Sequence, residues 1–302
     1  MRDQGLEVVI NDQDAPLPYS ELLTRVQGFD ALITMLSDKI DESFLKACPQ
    51  LKVISNYAVG YNNIDTNAAT LLRIPVGNTP DVLTEATAEV ALGLMIAASR
   101  NFLSANKSAS VGAWKNWDPT GHLGQALKGK TLGVIGFGRI GHRLAQMCAH
   151  AFSMKIQYYS QSIKENTLGA TRVDLTSLLK ESDFVSIHLP LNNQTKKLIG
   201  LKELSMMKSS AVLINTARGE IIDQDDLVTA LKNNLLFAAG LDVTEPEPLP
   251  VDHELFACQN AYILPHIGSA TYEARREMSI LVAKNIIAGL KGERLIAQVN
   301  LL

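Results

Sequence analysis

The chain has 302 residues, 46% of them apolar, and its 28 basic and 31 acidic side chains give a net charge of -3. At about 150 residues per domain this length suggests about two domains with sizeable cores, and the balanced, unclustered charge lacks the footprint of a nucleic-acid binder. The longest apolar run, residues 90–98, is nine residues long, about half of the roughly 18 that a membrane-spanning helix needs.

At the N-terminus, Met1-Arg2-Asp3-Gln4-Gly5 passes directly into Leu6-Glu7-Val8-Val9-Ile10. It shows neither the basic and apolar regions of a secretory signal nor an Arg/Ser-rich transit segment, so a cytoplasmic location is expected. Short β-branched runs at 31–35, 53–55, 131–135, 155–159, 184–188, 211–215, 238–242 and 261–264 read as strands, with helix-period segments between them. Ala211-Val212-Leu213-Ile214 is apolar throughout, which implies burial on both faces. The alternation of strand and helix implies right-handed βαβ units in parallel sheets, an α/β class. A helical stretch from Thr84 to about Lys107 separates the early strands from the later ones and is expected to bridge two domains. Residues 111–119 hold both tryptophans, Trp114 and Trp117, in a polar, Gly/Pro-punctuated setting. They read either as half-buried loop tryptophans or as part of a subunit interface, where aromatics are enriched. Cys48, Cys148 and Cys258 lie 100 and 110 positions apart with no CxxC pair, so buried apolar thiols are expected rather than a disulfide framework or a metal site.

The run Thr131-Leu132-Gly133-Val134-Ile135-Gly136-Phe137-Gly138-Arg139-Ile140-Gly141 precedes a helical pattern from His142 to about Phe152 and then another strand. In that context Gly136 makes the tight turn, Gly138 lets the backbone approach a pyrophosphate, and Gly141 lets helix and sheet pack closely. The pyrophosphate would lie at a helix N-terminus, where free N–H groups and the dipole favour an anion. At the end of the next strand, 24 positions after Gly136, stands Ser160 in place of the Asp or Glu that usually bonds a ribose 2′-hydroxyl. The neutral Tyr159-Ser160-Gln161-Ser162 run removes a carboxylate that would repel a 2′-phosphate, which favours NADP(H), with NAD(H) as the alternative. No arginine lies within this turn, and Lys164 is the cation close to it in sequence. Asp174 is expected to cap the helix that follows it.

Three later segments end strands with reactive residues: Asn215-Thr216-Ala217-Arg218-Gly219, the run from Gly240 through Asp242 and Glu247 to Pro248, and Leu264-Pro265-His266-Ile267-Gly268-Ser269. Ligands bind beyond the carboxyl ends of parallel strands. Arg218, Asp242, Glu247 and His266 are therefore expected to converge, although each alone also reads as a surface arginine, a cap or a structural histidine.

Together, GFGRIG, NTARG, GLDVTEPEPLP and PHIGSAT resemble the D-isomer-specific 2-hydroxyacid dehydrogenases. With Asn78-Thr79-Pro80-Asp81-Val82-Leu83-Thr84 the chain is most similar to the glyoxylate/hydroxypyruvate reductase branch, and the resemblance covers nearly the whole sequence. It implies an enzyme that reduces a small 2-oxo acid with NAD(P)H, with Arg218, Glu247 and His266 as the catalytic set and Asp242 near the nicotinamide. A guanidinium suits holding the carboxylate and polarising the carbonyl, and an imidazolium suits giving the proton. Glu247 beside His266 would favour the charged imidazole and raise its pKa. The resemblance also implies that Val59 and Gly60 bind the substrate carboxylate through their N–H groups. It further implies that Arg139 and Ile140 face the pyrophosphate, and that Pro190, Thr216 and Gly268 line the rest of the cofactor. No metal is implied, and a homodimer is. The remaining histidines, His122, His142, His150, His188 and His253, match no catalytic motif.

The expected architecture is two Rossmann-like or flavodoxin-like doubly wound domains with a cleft between them, residues 1–82 with 272–302 forming the substrate domain and 83–271 the dinucleotide domain. Family members usually begin with a further strand and helix, about 20–25 residues, before the segment matching Leu6–Ile10. The expectation is accordingly a late start that leaves the smaller sheet without its central first strand in a 2-1-3-4-5 order. Rival readings are a D-3-phosphoglycerate dehydrogenase, a reductase for bulkier 2-oxo acids, and a dinucleotide-sensing binding protein on the same scaffold, since fold does not fix function.

Overall fold

The computed structural model describes residues 1–13, 15–163 and 168–301. They divide into two compact units, Met1–Leu83 with Ala270–Leu302 and Thr84–Ser269.

The first unit runs α1 (Tyr19–Val26), β1 (Ala31–Thr34), α2 (Glu42–Ala47), β2 (Val53–Asn56), α3 (Thr66–Leu71) and β3 (Val76–Gly77), and adds the helix Tyr272–Leu290. Asp41 and Asp65 start α2 and α3 by accepting the N–H groups of Phe44 and Ala68, which satisfies orphan donors of the first turn. The strands form a three-stranded parallel sheet in the order β1-β2-β3. Every residue of β2 is buried, because its alternate side chains serve two cores. Ile54 packs with Phe44, Leu45, Ile64 and Val76, and Val53 packs with Ile286, Ala288 and Leu295. Asn285 is buried within the C-terminal helix and donates to Ser55 Oγ at 3.2 Å and the Asn78 carbonyl at 3.1 Å. The five-stranded 2-1-3-4-5 order is not formed. Leu6–Ile10 takes part in neither helix nor strand, and Val9 and Ile10 are exposed, so this segment buries too little apolar surface to be held against the sheet.

The second unit comprises α4 (Thr84–Ser99), α5 (Phe102–Ser110), β4 (Thr131–Ile135), α6 (Arg139–Phe152), β5 (Lys155–Tyr159), β6 (Thr171–Arg172), α7 (Leu175–Glu181), β7 (Phe184–Ile187), α8 (Leu201–Leu204), β8 (Val212–Asn215), α9 (Gln224–Lys232), β9 (Ala238–Leu241) and β10 (Ala261–Ile263). Its seven strands are all parallel in the order β10-β9-β8-β7-β4-β5-β6. The order reverses between β4 and β7, the switch point at which open α/β sheets bind ligands. Side chains alternate across the sheet: Leu132 and Val134 pack with Ala91, Met95 and Leu144, while Ile135 packs with Val185, Leu213 and Leu227. The stretch from Thr84 to Lys107 is two helices rather than one. The break falls at Asn101, whose φ of 54° is left-handed and whose side chain donates to the Leu123 carbonyl at 2.7 Å; asparagine is among the few residues that take this conformation readily. Cys48, Cys148 and Cys258 are free and buried. No helix among the described residues is long and apolar enough to cross a membrane.

Candidate active site

The turn after β4 is shaped by glycine. Gly136 has φ +96°, and a Cβ there would lie 2.6 Å from the His188 carbonyl oxygen, so both the turn and the close approach exclude a side chain. A Cβ on Gly141 would collide with the Gly136 carbonyl oxygen, which is how α6 comes to sit directly on the turn. Between them Gly138 opens α6 without a capping side chain and faces open space. Arg139 is exposed and Ile140 half-buried beside it. The fourteen-residue α6 thus presents its positive end and first-turn N–H groups to an anion. Phe137 supports the turn from below, stacked on Tyr158 with ring centroids 4.3 Å apart. At the end of β8 the Thr216 hydroxyl is buried with no hydrogen-bond partner among the described residues, an orphan that a ligand would satisfy. These features fit a dinucleotide. Pro190, exposed after β7, turns its carbonyl to Thr195 Oγ1 at 2.7 Å. His188 bonds Ser186 Oγ at 2.8 Å, and burial pushes its imidazole down to about 4.

At the end of β5, Ser160 is buried and Gln161 is exposed, its amide donating to Gln194 Oε1 at 3.2 Å. Lys164 lies outside the described residues. The turn has an arginine after all: Arg172 reaches back from β6 to the carbonyls of Ser160 and Gln161 at 3.0 and 3.1 Å. Its position twelve residues downstream hides this in the sequence; only the β5–β6 pairing brings it close. Asp174 caps α7 through the N–H and hydroxyl of Ser177.

The ends of β8, β9 and β10 carry the reactive set. Asn215 is buried at the end of β8; its oxygen accepts the Ala217 N–H at 3.0 Å and its amide donates to the Arg218 carbonyl at 2.8 Å, so one side chain shapes the whole turn. Arg218 Nη1 donates to the Ala217 carbonyl at 2.6 Å. Burial pulls the guanidinium below its usual value, while Glu247 and Glu220 oppose the shift. His266 Nδ1 lies 2.8 Å from Glu247 Oε2, and Glu247 Oε1 accepts the Thr244 N–H at 3.0 Å. Burial alone would raise the Glu247 carboxyl, but the His266 imidazole, the Thr244 N–H and the Arg218 charge outweigh it and hold it below the usual range. Glu247 is thus in direct contact with His266 and within the field of the Arg218 charge.

Asp242 is buried, and both its oxygens face backbone. Oδ1 accepts Ile267 N–H at 2.8 Å, Oδ2 accepts Gly268 N–H at 2.7 Å, and its own carbonyl accepts His266 N–H at 2.9 Å. Burial pushes this carboxyl up, opposed by the Ile267 N–H, the His266 charge and the Gly268 N–H. These three bonds hold His266 in a left-handed backbone with φ 54°, a conformation that histidine adopts only at a cost. Asp242 is therefore a clamp on the loop that presents the imidazole, a role invisible to sequence reading. No group of three His, Cys, Asp or Glu among the described residues is placed to hold a metal ion.

In the first unit, the loop after β2 is braced from inside. Asn56, fixed by Thr34 Oγ1 at 2.8 Å, donates to the Gly60 carbonyl at 2.7 Å. Asn78 donates to the Val59 carbonyl at 2.8 Å, and the Thr79 N–H to the Ala58 carbonyl at 2.9 Å. In a trans peptide the N–H points opposite to the preceding carbonyl. Three consecutive carbonyls turned inward thus aim the N–H groups of Val59, Gly60 and Tyr61 outward, an arrangement suited to a carboxylate.

Residues 92–268 match the family described as D-isomer specific 2-hydroxyacid dehydrogenase, NAD binding domain. The chain is 50% identical over 289 residues to a protein named glyoxylate reductase from Thermococcus litoralis, covering 93% of this chain and 86% of that one. Among solved structures, a protein from Thermus thermophilus is 43% identical with a TM-score of 0.93, covering 99% of this chain and 94% of its own. The NADPH-dependent glyoxylate/hydroxypyruvate reductase of Sinorhizobium meliloti, solved with NADP and malonate, is 32% identical with a TM-score of 0.82, covering 91% of this chain and 85% of its own.

Proposed function

The chain belongs to the D-isomer-specific 2-hydroxyacid dehydrogenase family, and we propose that within it this protein reduces glyoxylate and hydroxypyruvate to the corresponding 2-hydroxy acids, with NADPH preferred over NADH. The observation that carries the reading is the 2.8 Å bond between His266 and Glu247, next to a half-buried arginine. That bond uses Nδ1 and leaves Nε2 of the imidazole to give the proton.

When bound, the reduced nicotinamide dinucleotide supplies the hydride. Arg218 holds the substrate carboxylate and polarises the oxo group, two tasks that a planar fork of donors performs and a point charge does not. His266 gives a proton to the oxo oxygen as it becomes a hydroxyl. Glu247 keeps the imidazole oriented through its 2.8 Å bond to Nδ1. The outward N–H groups of Val59 and Gly60 are proposed as further donors to the substrate carboxylate. Gly136, Gly138, Arg139, Ile140 and Gly141 are assigned to the pyrophosphate, Ser160, Gln161 and Lys164 to the ribose end, and Pro190, Thr216, Asp242 and Gly268 to the remainder of the cofactor. The neutral end of β5, with no carboxylate to repel a 2′-phosphate, supports the preference for NADPH. Initial rates with glyoxylate are expected to give a kcat/KM at least about tenfold higher with NADPH than with NADH, a difference one charge-assisted hydrogen bond supplies. A preference for NADH would contradict this part of the reading.

A cytoplasmic homodimer completes the proposal. The free, buried thiols suit a reducing compartment. Trp114 and Trp117 are 71% and 80% exposed, and Phe102, Val111 and Leu123 are exposed near them in sequence; large apolar groups left in water mark interaction surfaces. Sedimentation at micromolar concentration is expected to show a dimer, and Trp114→Ser with Trp117→Ser to shift it toward monomer. A wild-type monomer would contradict the proposal.

A further inference from the structure

A 2′-phosphate on the adenine ribose calls for a cation with spare donors at the end of β5, and neither Ser160 nor Gln161 is charged. Arg172 sits opposite Tyr158 in the β5–β6 register, and its side chain reaches past the end of the strand. Nε donates to the Ser160 carbonyl at 3.0 Å and Nη2 to the Gln161 carbonyl at 3.1 Å. These bonds use one edge of the guanidinium and fix its plane. The Nη1 side has no partner among the described residues, and none of their carboxylates pairs with Arg172. Among the described residues, Asp174 directs both oxygens to Ser177, and Glu181 accepts from Gln157 at 2.8 Å.

We propose that Arg172 is the specificity-determining residue of the ribose end, binding the 2′-phosphate of NADPH with the donors its two carbonyl bonds leave over. The inference rests on the NADPH reading above and names the residue behind it. An unneutralised, oriented guanidinium attracts a phosphate dianion strongly and adds little to a bare 2′-hydroxyl, so its effect falls on the difference between the two dinucleotides. The two carbonyl bonds also brace the turn, and bracing serves both dinucleotides equally.

Calorimetric titration of the whole protein with 2′,5′-ADP and with 5′-AMP, fragments that differ by the 2′-phosphate alone, separates the two roles. Arg172→Gln keeps an amide donor for the carbonyls and removes the charge; Arg172→Lys keeps the charge. In the glutamine variant the Kd for 2′,5′-ADP is expected to rise about 10- to 100-fold while that for 5′-AMP changes less than about twofold, and the lysine variant is expected to retain much of the discrimination. Equal weakening of both fragments would reduce Arg172 to a brace and overturn the inference. So would a wild-type preference for 2′,5′-ADP that survives in Arg172→Gln. A wild-type protein that binds both fragments alike would instead overturn the NADPH reading, and the role of Arg172 with it.

Discussion

Replacing His266 by asparagine is expected to lower kcat for 2-oxo acid reduction by roughly 10²- to 10⁴-fold, the range that a positioned general acid contributes, with little change in dinucleotide affinity. Asparagine is the informative substitution because His266 has a left-handed backbone, φ 54°, which asparagine accepts with less strain than alanine. The loop clamped by Asp242 then stays in place and the measured loss belongs to the imidazole. Glu247→Gln is expected to lose less, because the amide can still orient the ring. A His266→Asn enzyme that retains more than about a tenth of wild-type kcat would remove His266 from the proton transfer.

Arg218→Ala is expected to reduce kcat/KM by roughly 10³-fold, or about 4 kcal/mol of transition-state stabilisation, since it removes both the carboxylate anchor and the group that polarises the oxo oxygen. Arg218→Lys is expected to recover only a small part, because an ammonium cannot present the forked donors. The substitution reaches further than the substrate. Arg218 is one of the groups that hold the Glu247 carboxyl below its usual range against burial, so its loss weakens the grip of Glu247 on His266. A double-mutant cycle between Arg218→Lys and Glu247→Gln is accordingly expected to show non-additive losses. Full rescue by lysine would contradict the forked role.

Much of this was legible in the sequence because it depends on local rules. Parallel strands buried on both faces read as near-continuous apolar runs, as Val212–Asn215 and Phe184–Ile187 do with one polar residue each, and the glycines at 136, 138 and 141 are dictated by one turn and one helix–strand contact. Arg218, Glu247 and His266 could be expected near one another because they follow the ends of parallel strands. What escaped depends on pairings remote in sequence. Arg172 approaches Ser160 because β6 pairs with β5. Asp242 grips the Ile267 and Gly268 N–H groups across the gap between neighbouring strand ends. Asn56 and Asn78 brace carbonyls in a loop whose sequence shows only a polar turn. The break at Asn101 was hidden by helix-compatible residues on both sides, since a single left-handed asparagine leaves no mark on periodicity.

The central claim is that this chain transfers a hydride to a 2-oxo acid while His266 supplies the proton. It is tested most directly by incubating the protein with NADPH and hydroxypyruvate and measuring NADPH loss together with the amount and handedness of the glycerate formed. One equivalent of the D-isomer per NADPH consumed, with His266→Asn binding NADPH but forming almost no product, is the expected result. A folded wild-type protein that binds NADPH yet leaves hydroxypyruvate and glyoxylate unreduced would contradict the claim.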